Sequence, residues 1–219
     1  MKKHANWAAR LKSIHEQSIN PLISWAAQQV KMKGKRSLSV LCIGSGSDME
    51  YVDKFIRGLK IQNKDRDINV VSVDPRHSPE HDAVAIRRIM RAGATKVTTL
   101  SSTWETFFNQ QKKRHQFSAI FTCQFSSCIS DRALGRYFST SASMLQKHGW
   151  IIDVAEDCDR VSRKGMYDGK IYNRPLHKLV STGEQQGFEL YALKGCRAHF
   201  RSNPAVDHQV MIIAIYRDR

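Results

Sequence analysis

Residues 39–55 read SVLCIGSGSDMEYVDKF, and their pattern is the strongest fold signal in the sequence. A mostly apolar run ends at Ile43, a Gly-Ser-Gly turn covers 44–46, and apolar residues at helical spacing follow it. The pattern predicts a buried strand, a tight turn and a helix. Because glycine has no side chain, such a turn at the carboxyl end of a strand lets a ligand touch the backbone.

The same alternation of strand and helix continues along the chain. Strands are predicted at 38–43, 69–73, 95–100, 117–123, 149–154, 188–193 and 209–216. Helices are predicted between most of them, at 48–60, 79–91, 103–114, 131–147 and 175–186. This order predicts an α/β fold with a mainly parallel sheet covered on both faces. The last two strands are predicted to pair as a hairpin, a profile similar to the Rossmann-like, seven-stranded methyltransferase sheet.

The predicted domain organisation is a single domain with an extension. Apolar residues at 5–32 have helical spacing, and residues 1–36 form a predicted N-terminal helical extension in which Pro21 can begin a second helix. Residues 37–219 form the predicted methyltransferase domain. Within it, the charged stretch 155–174 is long enough to be a lid or a substrate-binding segment.

The composition indicates a polyanionic partner and a reducing compartment. The chain of 219 residues has 35 Lys and Arg against 20 Asp and Glu, a formal net charge of +15. Clustered cations bind phosphates by releasing counterions, although a basic surface can also lack a partner. Its five cysteines form no CxxC pair, which favours free thiols and no metal site. With no long apolar run, we expect a cytoplasmic protein with no membrane partner.

The glycine turn differs from the fingerprint that binds dinucleotides. That fingerprint needs a third glycine, and the position is Met49 here, between the acidic Asp48 and Glu50. Carboxylates repel a phosphate but suit a cationic group such as the sulfonium or amino group of S-adenosylmethionine. The alternative is a turn that only connects a strand to a helix.

Two further strand ends carry side chains suited to a nucleoside. Asp74 ends the second strand about 30 residues after Gly44, where its carboxylate can accept both ribose hydroxyls. The alternative is a turn or helix cap before Pro75. Ser102 and Trp104 follow the third strand, where they can flank an adenine or simply begin a helix.

The fourth strand ends in a more discriminating motif. It runs into SAIFTCQFSSCIS at 118–130, in which the amide of Gln124 is expected to face the cleft. With LQKHGWIIDV at 145–154 and GKIYN at 169–173, this stretch resembles the messenger RNA cap guanine-N7 methyltransferases, cellular and viral, in which a CQF triplet ends the fourth strand. The resemblance covers roughly residues 20–216.

The resemblance implies S-adenosyl-L-methionine as the cofactor and the 5′ end of a capped RNA as the partner. Combined with the residue patterns above, it predicts a cofactor site of Gly44, Ser45, Gly46, Glu50, Asp74, Ser102, Trp104 and Gln124. Candidates for contacts with the methyl acceptor are Phe125, Cys128 and Tyr172. The chain departs from the family in the cap pocket: Cys128-Ile129 stands where the family has His-Tyr, and an expected glutamate is missing near 175–177.

The predicted activity is methylation of cap guanine at N7, in a viral or cellular capping enzyme. A ring nitrogen attacks a methyl sulfonium without a strong base, so alignment suffices, and we expect neither a catalytic base nor a metal. Five basic clusters favour RNA; they lie at 2–12, 31–36, 112–114, 160–164 and 197–201. The alternatives are a small-molecule amine N-methyltransferase and a non-catalytic RNA-binding subunit that keeps the fold.

Overall fold

The computed structural model describes residues 19–30, 36–46, 49, 51–111, 116–123, 125–157, 176–194 and 208–216. The described strands are β1 (Ser37–Ile43), β2 (Asp67–Val73), β3 (Lys96–Leu100), β4 (Phe117–Cys123), β5 (Leu145–Asp157), β6 (Phe188–Lys194) and β7 (His208–Tyr216). The described helices are α1 (Ile19–Gln29), α2 (Val52–Gln62), α3 (Pro79–Arg91), α4 (Trp104–Gln110), α5 (Phe125–Cys128), α6 (Asp131–Met144) and α7 (Leu176–Gln185).

The described strands form one sheet in the order β3-β2-β1-β4-β5-β7-β6. Strands β1 to β5 are mutually parallel, and β7 lies antiparallel between β5 and β6. The predicted α/β class and the pairing of the last two strands are therefore confirmed. Since β2 follows β1 on one side and β4 lies on the other, the chain reverses its winding direction at β1. In open α/β sheets, ligands bind outside the carboxyl ends of strands at such a reversal.

Apolar residues from helices on both faces of the sheet produce two buried clusters. One cluster joins α1, α2 and α3 to the sheet and includes Ile23, Val52, Phe55, Leu59, Ile89 and Phe121. The other joins α4, α6 and α7 to the opposite face and includes Trp104, Phe107, Tyr137, Phe138 and Leu179. Covering both faces buries the nearly continuous apolar strands β1 and β4, which leaves the strand ends as the place for polar ligands.

The fifth strand is longer than the sequence predicts. It begins at Leu145 rather than 149, so the last residues of the helix predicted at 131–147 are strand. A register shift separates the pairs Phe117↔Leu145 and Ala119↔Trp150, and His148 inside it has a φ of 61°. Extra residues in one strand form a bulge, which local hydrophobic spacing does not reveal.

The strand also continues past its predicted end. Ala155, Glu156 and Asp157 pair with β7, so the first three residues of the predicted 155–174 lid belong to the sheet. The rest of that segment lies outside the described residues. So does most of the predicted extension 1–36, of which the structure describes residues 19–30 and residue 36.

Helix α1 contacts α2 closely at Gly58, so a substitution there tests whether α1 packs against the rest of the domain. A Cβ added at Gly58 would lie 2.3 Å from the Ser24 carbonyl oxygen and 2.7 Å from Ala27 Cβ. Gly58→Ala is therefore expected to lower the free energy of unfolding by about 1–3 kcal/mol through overpacking. Urea unfolding followed by circular dichroism measures the change.

Gly135 in α6 supplies the matched control, since a Cβ added there meets nothing within 4 Å. Gly135→Ala should stabilise the protein by roughly 0.5–1 kcal/mol, as expected for a helix interior. Equal effects of the two substitutions would contradict the packing of α1 against α2.

Candidate binding site at the glycine turn

The turn after β1 has the backbone that its two glycines predict. Gly44 has a φ of 64° and Gly46 a φ of 69°, both in the left-handed region that side chains disfavour. The Gly44 N–H donates to the carbonyl of Val73, 3.0 Å away. The turn is thereby held against the end of β2, at the edge of the sheet where β1, β2 and β4 finish.

The structure brings Asp74 to this turn, as the positions of the two strand ends predict. The Gly46 N–H donates to Asp74 Oδ2 over 2.8 Å. Asp74 is almost completely buried, with 2% of its surface exposed. A ligand that touches the glycine backbone would therefore also meet this carboxylate.

Arg76 is the principal partner of that carboxylate. Its Nε donates to Asp74 Oδ1 over 3.0 Å, one terminal nitrogen donates to Oδ2 over 3.2 Å, and its backbone N–H donates to Oδ1 over 2.9 Å. A Cβ added at Gly46 would lie 3.1 Å from the same guanidinium. The guanidinium thus covers both Asp74 and Gly46, while half of its own side chain is exposed.

These contacts keep Asp74 ionised. Burial alone would raise the pKa of the Asp74 carboxyl. The hydrogen bonds from Arg76 and from the Gly46 N–H, together with the guanidinium charge, outweigh burial and lower that pKa below its ordinary value. The turn therefore has a negatively charged acceptor beside it, which can accept hydrogen bonds from hydroxyl groups.

Phe125, a predicted contact of the methyl acceptor, lies against the other glycine. A Cβ added at Gly44 would lie 2.9 Å from Phe125 Cδ2. The Phe125 ring also contacts Trp104 edge-on, with ring centroids 5.8 Å apart, and Tyr137 at 5.3 Å. Trp104 is buried among these rings. The structure thus brings Gly44, Phe125 and Trp104 together, and contact of Trp104 with an adenine stays a prediction.

The two predicted serines have different surroundings. Ser45 is buried, and its hydroxyl bonds to that of Ser72 over 2.8 Å. The Ser102 hydroxyl donates to the Thr103 carbonyl over 3.1 Å, while Thr103 caps α4. Cys128 ends the short helix α5, which directly follows the end of β4 and which hydrophobic spacing does not predict. Glu50, Gln124 and Tyr172 lie outside the described residues.

Sequence reasoning missed the residues that support this turn. Arg76 could have been found, since Asp-Pro-Arg at 74–76 places it within the short reach of an Asp side chain. Ser72, His77 and Asp82 carry no such signal, because their hydrogen bonds join a strand, a loop and a helix.

A groove of about 270 Å³ is lined by residues of β1, β2, β3, β4 and α4, among them Ser39, Asn69 and Phe117. No residue of the 44–46 turn lines it. Within the described part of the chain, no three His, Cys, Asp or Glu side chains come close enough to hold a metal ion. No described helix has the length and apolar character needed to cross a bilayer.

Solved structures share this architecture. A Burkholderia thailandensis 1,6-didemethyltoxoflavin-N1-methyltransferase with bound S-adenosylhomocysteine superposes with a TM-score of 0.62 at 15% identity, covering 99% of this chain and 90% of that one. A SAM-dependent methyltransferase from Methanosarcina mazei gives 0.58 at 12% identity, covering 85% and 95%. Phosphoethanolamine N-methyltransferase 2 of Haemonchus contortus, in complex with S-adenosylmethionine, gives 0.59 at 13% identity, covering 91% and 52%.

The chain therefore has the fold of the S-adenosylmethionine-dependent methyltransferases. At these identities the likeness establishes the fold alone. No protein-family profile matches the sequence, and no curated protein matches it.

Proposed function

We propose that this chain is an S-adenosylmethionine-dependent methyltransferase that binds its cofactor at the 44–46 turn. The observation that carries the proposal is the contact between the Gly46 N–H and Asp74 Oδ2. It joins a bare backbone turn to a buried, ionised carboxylate at the point where the sheet reverses its winding. The ligand-bound methyltransferases of the same fold support it.

The hydrogen bonds of Asp74 fit a ribose. A carboxylate offers about four lone-pair positions, and here two backbone N–H groups and two guanidinium N–H groups occupy them. The backbone donors are fixed, whereas the Arg76 side chain is half exposed and can turn away. The two hydroxyls of a ribose would then replace the two guanidinium donors one for one.

The start of α2 argues against a dinucleotide. In a dinucleotide site the third glycine opens a helix whose N-terminus receives the pyrophosphate. Here Met49 occupies that position with a φ of 45°, and α2 begins only at Val52, after Tyr51 with a φ of 66°. The free N–H groups of the helix therefore begin six positions beyond Gly46. Left-handed backbone at bulky residues is strained, which is common at ligand-binding turns.

We propose N7 of an RNA cap guanine as the methyl acceptor. The CQF triplet at the end of β4 and the net charge of +15 support this assignment. Among described residues, Arg57 on α2 and Arg87 and Arg91 on α3 are exposed and could contact phosphates. The reaction transfers a methyl group from the sulfonium to a ring nitrogen that is already nucleophilic, so the protein needs to align the two substrates.

A small-molecule N-methyltransferase is the second candidate. Two of the superposing structures are an N1-methyltransferase and a phosphoethanolamine N-methyltransferase by name. A charge of +15 would repel a cationic amine, which places this candidate below RNA. A non-catalytic RNA-binding subunit is the third candidate, since the cap-pocket residues at 128–129 depart from the family.

Incubation with radiolabelled S-adenosylmethionine separates the three candidates. We expect label on unmethylated capped RNA, at guanine N7 after nuclease digestion, and no label on the same RNA without a cap. Label on a panel of small amines alone would reverse the order of the first two candidates. Cofactor binding in calorimetry without any methyl transfer, or no binding at all, would favour the non-catalytic subunit.

A further inference from the structure

Four buried polar side chains form a continuous hydrogen-bonded chain beneath the glycine turn. Ser45 Oγ lies 2.8 Å from Ser72 Oγ, which lies 2.8 Å from His77 Nε2. His77 Nδ1 lies 2.9 Å from Asp82 Oδ1. These hydrogen bonds thus connect the turn after β1, the strand β2, the loop after β2 and the first turn of α3.

The residue types match those of serine hydrolases, but the burial does not. A serine, a histidine and an aspartate in this arrangement can serve as nucleophile, base and orienting acid. Ser72 is 0% exposed and lies in β2, which is paired on both sides by β1 and β3. No scissile bond can approach its hydroxyl, so the arrangement has a positioning role.

The direction of the hydrogen bonds follows from the acceptor at one end. A carboxylate oxygen accepts, so the Nδ1–H tautomer of His77 is the one that can donate to Asp82 Oδ1. With the proton on Nδ1, Nε2 can accept from the Ser72 hydroxyl, and Ser72 in turn can accept from the Ser45 hydroxyl. In this direction the Ser72 hydroxyl donates to His77 and accepts from Ser45. The Ser45 hydroxyl donates to Ser72 and can still accept a hydrogen bond at the turn.

The series of hydrogen bonds ends at the turn where the cofactor is proposed to bind. Ser45 lies between the two glycines, and the backbone N–H of His77 donates to the backbone carbonyl of Asp74 over 3.1 Å. His77 therefore holds both the middle of the turn, through the two serines, and the residue whose carboxylate receives the Gly46 N–H. Asp82 Oδ2 is buried without a hydrogen-bond partner among the described residues, which leaves His77 as the side-chain partner shown for Asp82.

We propose that Asp82, His77, Ser72 and Ser45 form a positioning relay for the cofactor turn. Asp82 accepts from His77 Nδ1 and thereby fixes the His77 tautomer. That tautomer makes Ser72 the donor to His77 and Ser45 the donor to Ser72. The bond between the two serines then holds the turn where the Gly46 N–H meets Asp74. His77 is a positioning residue, since it acts through Ser72 and Ser45. The relay rests on the proposed function, because its ligand is the methyl donor.

The first test reads the tautomer directly by nuclear magnetic resonance of ¹⁵N-histidine-labelled protein. His77→Gln identifies the His77 signals among the nine histidines. We expect a protonated Nδ1 and an unprotonated Nε2. Asp82→Asn should reverse the two, because an amide N–H can donate to Nδ1 and leave the proton on Nε2. A protonated Nε2 in the unaltered protein would overturn the relay.

The second test measures S-adenosylhomocysteine affinity by calorimetry. Ser45→Ala should weaken binding by about 3- to 10-fold, the equivalent of one hydrogen bond, and Ser45→Thr, which keeps the hydroxyl, should restore it. Ser118→Ala is the matched control, since Ser118 is a buried serine whose hydroxyl bonds Gln146 at the opposite end of the sheet. It should leave the affinity unchanged.

The outcomes separate the relay from the proposed function. Binding by the unaltered protein with unchanged affinity in Ser45→Ala would overturn the relay alone. No binding of S-adenosylhomocysteine or S-adenosylmethionine by the unaltered protein would overturn the proposed function, and the cofactor role of the relay with it. The Ser45 variants keep this test decisive if Asp82→Asn fails to fold.

Discussion

Replacing Asp74 with alanine is expected to weaken S-adenosylmethionine binding by one to two orders of magnitude, about 1.4 to 2.8 kcal/mol. The expected loss has two sources. In the proposed site the carboxylate accepts the ribose hydroxyls, and in the structure it also accepts from the Gly46 N–H, which fixes the turn. Isothermal titration calorimetry with the cofactor measures the change, and circular dichroism checks that the fold is kept.

Two matched variants distinguish loss of the Asp74 carboxylate from loss of its ion pair with Arg76 and from loss of a carboxylate elsewhere. Arg76→Ala breaks the same ion pair but leaves the carboxylate, so it should bind the cofactor as tightly as the unaltered protein or more tightly. Asp67→Ala removes an exposed carboxylate at the opposite end of β2 and should leave binding unchanged. If Asp74→Ala bound normally, or if Arg76→Ala lost affinity as severely, the proposed ribose site would be wrong.

RNA binding is expected to show a steep dependence on salt. Each phosphate contact made by Lys or Arg releases condensed counterions from the nucleic acid. If the protein contacts six phosphates of a single strand, the log-log slope is about −4, and affinity falls by about two to three orders of magnitude between about 50 and 200 mM salt. Fluorescence anisotropy with a labelled capped RNA measures the slope.

S-adenosylhomocysteine binding under the same conditions is the internal control. This ligand has no phosphate, so its slope should be close to zero. A flat slope for RNA would remove the argument from the net charge of +15 and return the small-molecule acceptor to first place.

The part of the fold that depends on short-range pattern could be predicted from the sequence. The apolar run before Gly44 and the helical spacing after it determined β1 and α2, and repetition of the pattern determined the α/β class. The sequence pattern predicts the start of α2 four residues too early, because Met49 and Tyr51 have left-handed backbone that their residue types do not predict.

The sequence predicts the candidate site only for residues that directly follow the end of a predicted strand. Gly46 and Asp74 directly follow the region where parallel strands end, and the carboxyl ends of such strands meet at one edge, so their contact was foreseeable. The position of Phe125 against Gly44 was not, because it depends on the helix α5 that follows β4.

The order of the elements, and the presence of polar residues at the ends of β1 and β2, follow from the amino-acid sequence. The ion pair of Arg76 with Asp74, and the hydrogen bonds that link Ser45, Ser72, His77 and Asp82, become visible only in the folded protein. The physical reason is that hydrophobic spacing reports which face of one element is buried, whereas a hydrogen bond between elements depends on their distance and orientation after packing.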